Sequence, residues 1–482
     1  MSESGLRYGS GRPVIGIFGH YGNENLGDEA IIEALIARIR AERPDADIRC
    51  FSIHPRDSSL RYGVTAYPIR ISGESELAPP ARAPEAGARS PEAPPSEGHE
   101  ARRAARPLVS RVKTLIPEKP RAVLAAVARL PGLAREAADE IRFLIRSYRR
   151  LRDVDALIIA GSNQFLDNFG GPWGFPYTLF KWSLLARLAR CRLLYVSVGA
   201  GPLDSRISRL LVRGAIRFAH YLSFRDAASQ RLIEGARSRR SNGVYPDLAH
   251  SLVLPASVAA PLASRAGGGK PVVGINPMPL YDQRYWCATD QGRYQSYVST
   301  LATFAEHLVD HGYPVFLFPT QPKDVNVALD IVRTMRPAAA ARLAQPDPVR
   351  RPRTVDDLMN AICCADIVVA TRFHGTLLSL HARRPVVAIC YYRKTRDLMR
   401  EMGQHGYAID FDDLDVTNLI DRFHQLEQNR IEAEAQITRT NDLFLRALDS
   451  QYRAIFPVML KRTDGGLPPP RSRPGDGFPG PV

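Results

Sequence analysis

The residues best placed to do chemistry are Thr371-Arg372-Phe373-His374-Gly375-Thr376. They follow an apolar run, Asp366-Ile367-Val368-Val369-Ala370, that reads as a buried strand. A helical pattern through Leu377, Leu378 and Leu380 comes next. Arg372 offers a planar guanidinium that grips a carboxylate or phosphate through two hydrogen bonds. His374 titrates near neutrality. The first helical amides, those of Gly375 and Thr376 among them, point toward the same place and favour negative charge. Together they form an anion site with a proton donor. The plainer alternative is a loop histidine with its bonds satisfied and a surface arginine. Nearby His381 and the pair Arg383-Arg384 read as structural or solvated.

Three further segments sit at strand ends. Gly19-His20-Tyr21-Gly22-Asn23-Glu24-Asn25-Leu26-Gly27-Asp28 joins the first strand to the first helix. Its glycines allow close backbone approach, and Asp28 is placed to cap the helix. Asn23, Asn25 and the open amides suit an anion or a sugar hydroxyl; a simple turn with a cap accounts for them equally. The segment lacks the G-x-G-x-x-G spacing of dinucleotide sites. Gly161-Ser162-Asn163-Gln164-Phe165-Leu166-Asp167 offers Ser162, Asn163, Gln164 and Asp167 to a polyol. Trp173 beyond it either stacks on a sugar ring or packs in the core. Ser223-Phe224-Arg225-Asp226 presents a second guanidinium at a strand end, or a local surface pair.

The elements that position these residues alternate. Strands are expected over 14–18, 47–53, 156–160, 193–198, 221–224, 272–276, 314–318, 366–370 and 386–390. Helices are expected over 29–41, 177–190, 205–218, 227–236, 294–311, 325–335, 355–363, 375–382 and 393–402, with one long helix over 417–452. Strand-helix alternation predicts parallel sheets, with ligands at the carboxyl ends of the strands. The 482 residues exceed one comfortable core. The Gly-rich joint at 265–270 divides them into an N-terminal domain, 13–264, and a C-terminal domain, 270–415. A C-terminal helix over 416–460 follows. Residues 1–12, 74–107 and 464–482 are expected to be disordered, because they hold too few large apolar side chains to offset ordering entropy.

Residues 101–150 hold 13 Lys or Arg against 4 Asp or Glu. The helices expected over 108–150 are either a membrane-surface contact or a solvated pair covering the sheet. The net charge of +15 suits an anionic partner without choosing one. Nucleic acid would rest on charge alone, since no recognised module appears. The six cysteines form no C-x-x-C pair and no zinc spacing, so reduced thiols, a cytoplasmic location and no metal are expected. No signal peptide or membrane span is apparent.

Six segments together resemble the polysaccharide pyruvyltransferase family: GNENLGDEAI, IIAGSNQFLDNFGGPW, VSVGAGPL, SFRDAAS, YPDLAHSL and ATRFHGTLLSL. They occur in the family's order from about residue 14 to 410. The family often has a run of glycines where this chain has Ala160-Gly161-Ser162, and the stretch after residue 73 is extra to its pattern. The resemblance implies two Rossmann-like doubly wound domains in a GT-B-like arrangement with an interdomain cleft. It implies phosphoenolpyruvate as co-substrate, no other cofactor, and a glycan or lipid-linked saccharide as acceptor. The donor would be held by Arg225, Arg372 and His374, brought from opposite lobes. His374 would be a general acid or a third phosphate ligand, and Asp28 the base for the acceptor hydroxyl. Acceptor contacts would fall on Asn23, Asn25, Ser162, Asn163, Gln164 and Asp167. A GT-B-type glycosyltransferase using a nucleotide sugar is the alternative, and a decayed, non-catalytic scaffold a further one.

Overall fold

The computed structural model describes residues 12–22, 24–72, 120–167, 170–234, 241–254, 269–286, 289–344 and 346–460. The stretches expected to be disordered fall almost wholly outside these residues, as do Asn23 and residues 108–119. Two compact units emerge. The first gathers residues up to Asn23, Leu35–Leu248 and the segment beginning at Leu448. The second gathers Glu24–Ala34 and Ala249–Ala447.

The first unit is built on β1 (Val14–Phe18), β2 (Asp47–Ser52), β3 (Thr65–Pro68), β4 (Ala156–Ala160), β5 (Asn163–Phe165), β6 (Arg192–Ala200) and β7 (Tyr221–Phe224). Its sheet runs β3-β2-β1-β4-β6-β5, with β7 also paired to β6, and every pairing is parallel. The helices are α1 (Leu26–Glu42), whose residues up to Ala34 belong to the second unit, α2 (Pro55–Tyr62), α3 (Pro120–Leu151), α4 (Phe175–Leu188), α5 (Arg206–Arg217) and α6 (Ala227–Glu234). The core packs Phe18, Phe51, Phe165 and Trp182 between sheet and helices. Parallel strands covered on both faces read as continuous apolar runs, which is why β1, β4 and β6 are plain in the sequence.

The second unit holds β8 (Val273–Asn276), β9 (Val315–Leu317), β10 (Ile367–Ala370), β11 (Val386–Cys390) and β12 (Ala408–Asp410), in the parallel order β12-β11-β10-β8-β9. Its helices are α7 (Gln291–Asp310), α8 (Pro322–Thr334), α9 (Val355–Cys364), α10 (Phe373–His381), α11 (Arg393–Glu401), α12 (Val416–Gln428) and α13 (Arg430–Leu460). Two doubly wound α/β units in succession are therefore present.

Several elements differ from expectation. The long terminal helix is two helices: Asn429 ends α12, its side-chain amide donating to the Gln425 carbonyl at 2.9 Å. Helix α1 starts at Leu26, so Asp28 lies in its first turn rather than capping it. Helix α4 starts early, at Phe175, because Pro176 suits the first helical position. Elements α2 and β3 escaped notice because they are short and lack apolar periodicity. Of the helices expected over 108–150, the part to 119 lies outside the described residues; one helix spans Pro120–Leu151, and Phe143 and Leu151 on it are buried in the first core. Trp173 is half-buried against Tyr177; Trp182 is the core tryptophan. Arg384, read as structural or solvated, is buried at 1% exposure. Cys50, Cys191, Cys363 and Cys390 are buried free thiols, and Cys364 is exposed.

Candidate functional site

In the second unit, β10 ends at Ala370, and Thr371 hands the chain to α10 through Arg372 at the N-cap position. The Thr371 amide donates to the Asn276 carbonyl at 2.9 Å, and its hydroxyl bonds Tyr297 at 2.8 Å. This turn is therefore pinned to the end of β8. Arg372 does not wander from it. Its Nε donates to Asp324 Oδ1 at 3.0 Å, and its Nη2 to the same oxygen at 2.5 Å and to Gln321 Oε1 at 3.3 Å.

Asp324 is fully buried. It also accepts from the Thr320 amide at 3.2 Å, the Thr320 hydroxyl at 3.1 Å and the Gln321 amide at 3.1 Å. One carboxylate thus closes the capping box of α8 and aims the Arg372 guanidinium. The sequence reading missed Asp324. Its signal was the Gln321-Pro322-Lys323-Asp324 pattern at a helix start, which capping alone explains.

His374 is half-buried in the first turn of α10. The start of α1 lies directly on it: a Cβ added at Gly27 would sit 2.3 Å from the His374 Cβ. No other residue fits at 27, so the glycine of N-L-G-D is there for contact distance. The Leu26 amide donates to the Thr320 carbonyl at 3.2 Å, fixing the same turn beside Gln321 and Asp324. Asn25 donates its side-chain amide to Asp28 Oδ2 at 2.5 Å. Asn25 and Asp28 therefore belong to the neighbourhood of Arg372 and His374. Gly375 and Thr376 are buried, and the Thr376 hydroxyl donates to the Arg372 carbonyl at 3.1 Å, so it braces the turn.

The first unit holds a second arginine cluster. Gly161 (φ 47°) and Ser162 (φ 52°) turn the chain sharply after β4 and deliver Asn163 onto β5. Arg225 donates from Nη2 to Asn163 Oδ1 at 2.6 Å and from Nη1 to Asp247 Oδ2 at 3.2 Å. Arg225 is 7% exposed and Asp247 3%. Gly199 makes room: a Cβ there would lie 2.5 Å from Asn163 Oδ1 and 2.6 Å from Arg225 Nη2. Four of the six family segments thus converge on one buried ion pair. Asp247 lies in the Y-P-D part of the segment YPDLAHSL, 22 positions beyond Arg225.

The polyol candidates divide. Ser162 and Gln164 are buried, Gln164 bonding the Ala160 carbonyl at 3.4 Å. Asp167 accepts from the Ser205 amide at 3.0 Å and the Asp204 amide at 3.4 Å ahead of α5. Burial pushes its carboxyl up, but the Ser205 amide and the Ser208 hydroxyl outweigh this and hold it below the usual range. Asp167 is thus engaged in a loop. His20, between β1 and α1, stacks on Phe175 with ring centroids 3.5 Å apart. Burial, with the Arg70 guanidinium second, pushes its imidazole down to about 3. His381 is buried, and its Nε2 bonds the Leu252 carbonyl at 2.9 Å. Burial brings it down to about 4; the carbonyl opposes that and Arg383 adds to it. Among the described residues no group of three His, Cys, Asp or Glu is placed to hold a metal ion.

An arginine steered by a buried carboxylate, beside a histidine at a helix start in a parallel α/β unit, is an arrangement able to hold an anion. The family model for polysaccharide pyruvyl transferase matches residues 25–392, and the chain belongs to that family. It is a transferase that acts on polysaccharide. The amylovoran biosynthesis protein AmsJ of Erwinia amylovora is 21% identical over 439 residues, spanning 88% of this chain and 94% of that protein. Among solved structures, the N-terminal domain of trehalose-6-phosphate phosphatase from Candida albicans has a TM-score of 0.48 at 12% identity, covering 95% of this chain and 99% of that one. MurG of Acinetobacter baumannii has a TM-score of 0.43 at 11% identity, covering 90% and 99%. At those values neither structure informs the site.

Proposed function

We propose that the chain transfers the enolpyruvyl carbons of phosphoenolpyruvate to two hydroxyls of one sugar, forming a pyruvate ketal and releasing phosphate. AmsJ, named for amylovoran biosynthesis, supports an exopolysaccharide or its precursor as the acceptor. The observation that carries the reading is the Arg372–Asp324 pair beside His374, at the start of α10. The donor is a trianion at neutral pH. The Arg372 guanidinium, aimed by Asp324, and the helical amides stabilise it before any proton moves.

His374 then delivers a proton to the donor's methylene carbon, which becomes the methyl group. Positive charge develops at the adjacent carbon. One sugar hydroxyl bonds to that carbon, its C–O bond to phosphate breaks, and a second hydroxyl closes the ring. Of the two hydroxyl protons, one restores the proton that His374 gave to the methyl carbon, and the other, taken up by the base, leaves on the departing phosphate as hydrogen phosphate. Asp28, with its Asn25 partner, is the proposed base. No metal takes part in this scheme.

The test is product analysis of the full chain with phosphoenolpyruvate and a polysaccharide preparation. Inorganic phosphate and an acid-labile pyruvate ketal are expected in equal amounts. Nucleotide release from an activated sugar, with no phosphate from phosphoenolpyruvate, would replace this reading by a glycosyltransferase.

A further inference from the structure

Helices α4 and α5 of the first unit pack side by side. A Cβ on Gly214 would come within 2.7 Å of the Phe180 ring, and the Phe180 and Phe218 rings are 6.4 Å apart. Their outer faces have an unusual composition. On α5 the exposed residues are Arg206, Ile207, Arg209, Leu210, Arg213 and Arg217, and no others. On α4 they are Leu184, Arg187 and Leu188. Neither helix contains an acidic residue. Leu210 is 68% exposed and Leu188 58%. An ordinary solvent face carries mixed charge and short polar side chains, not leucines set among arginines. Helix α3, packed on α4, also exposes Ile141 and Ile145, but Asp139 pairs with Arg142 beside them, so the acid-free face is that of α4 and α5.

We propose that the α4–α5 face docks the chain onto an anionic membrane surface. Aliphatic side chains enter the interface between headgroups and acyl chains while guanidinium groups meet lipid phosphates. Arg209 is tied to the Leu203 and Asp204 carbonyls at 2.7 and 3.0 Å, so the other arginines carry the contact. A second copy of the chain fits poorly, because a two-fold contact would set arginine against arginine. Nucleic acid fits poorly too: it calls for aromatic or polar side chains between the cations, and here they are aliphatic. The contact needs no spanning segment, and among the described residues no helix is long and apolar enough to cross a membrane. The proposal stands independently of the reaction.

The experiment is co-sedimentation of the full chain with phosphatidylcholine vesicles, with and without phosphatidylglycerol. Binding is expected only where phosphatidylglycerol is present, and it should fall at high salt. The double variant Leu210→Glu with Arg213→Glu should lose at least about tenfold in partitioning. Its melting temperature should stay unchanged, since both side chains are exposed. Equal sedimentation of variant and wild type would overturn the proposal, as would no binding to either vesicle. A concentration-dependent dimer broken by the double variant would assign the face to a second copy, and retention on duplex DNA but not on vesicles would assign it to nucleic acid.

Discussion

Two arginines in this chain are built into their units by the same device and are left in different states. Arg225 follows β7, Arg372 follows β10, and each is gripped by a buried aspartate and a side-chain amide: Asp247 with Asn163, and Asp324 with Gln321. The Arg225 side chain is 6% exposed, whereas the Arg372 side chain keeps 16%. Asp324 is also bonded by two amides and a hydroxyl, so its charge is satisfied apart from the arginine. The first cluster is therefore weighted toward holding its unit together, and the second toward presenting a cation. A buried pair stabilises little by itself, but stripping one partner leaves an uncompensated charge.

The largest effect expected is at His374. Replacing it by Ala should slow turnover by about 10²–10⁴-fold, the range of a general acid, with the melting temperature held. A variant that turns over like wild type would break the contrast, because the second cluster would then have no chemical member. Next comes Asp247→Ala, which should destabilise by about 3 kcal/mol, the low end for a broken buried pair, because Arg225 keeps Asp226 at 3.7 Å; urea unfolding reads it, and a loss below about 1 kcal/mol would show the first cluster is not structural. Arg372→Lys keeps the charge but loses the bidentate geometry. Donor affinity should fall on the order of tenfold or more, about 1.4 kcal/mol per decade, with unfolding unchanged; equal affinity would count against the clamp.

The smallest effect is acid sensitivity. His381, brought down to about 4 by burial, binds its proton less readily folded than unfolded. Its contribution to stability is therefore complete above about pH 6.5 and is lost as pH falls toward 4. Stability of a His381→Gln variant should vary less over that window than wild type; identical slopes would remove His381 from the account.

Much of this was legible in the sequence because parallel strands announce themselves. The run Ile367-Val368-Val369-Ala370 fixes a strand, and a ligand-type residue just after it falls at the productive edge. Arg372 and His374 were found that way. Asp324 and Asp247 were not, because a carboxylate that aims an arginine is distant in sequence: 48 positions separate Asp324 from Arg372. The role of Gly27 was equally hidden, since its contact with His374 joins the N-L-G-D turn to the R-F-H-G turn. Asp28 was expected to cap α1, but the helix begins two residues earlier. The docking face escaped for a different reason. Leu210 in R-I-S-R-L-L-V-R looks like half of an ordinary amphipathic pattern until burial shows which leucine faces outward.

The most direct test of the second cluster as the donor site is a thermal-shift titration of the full chain with phosphoenolpyruvate, beside Arg372→Lys. Wild type should gain stability that follows RT ln(1 + [L]/Kd), about 2.7 kcal/mol at a hundredfold excess over Kd, and the variant should need far more ligand for the same shift. A wild-type melting temperature unmoved by saturating phosphoenolpyruvate, with UDP raising it instead, would contradict the account.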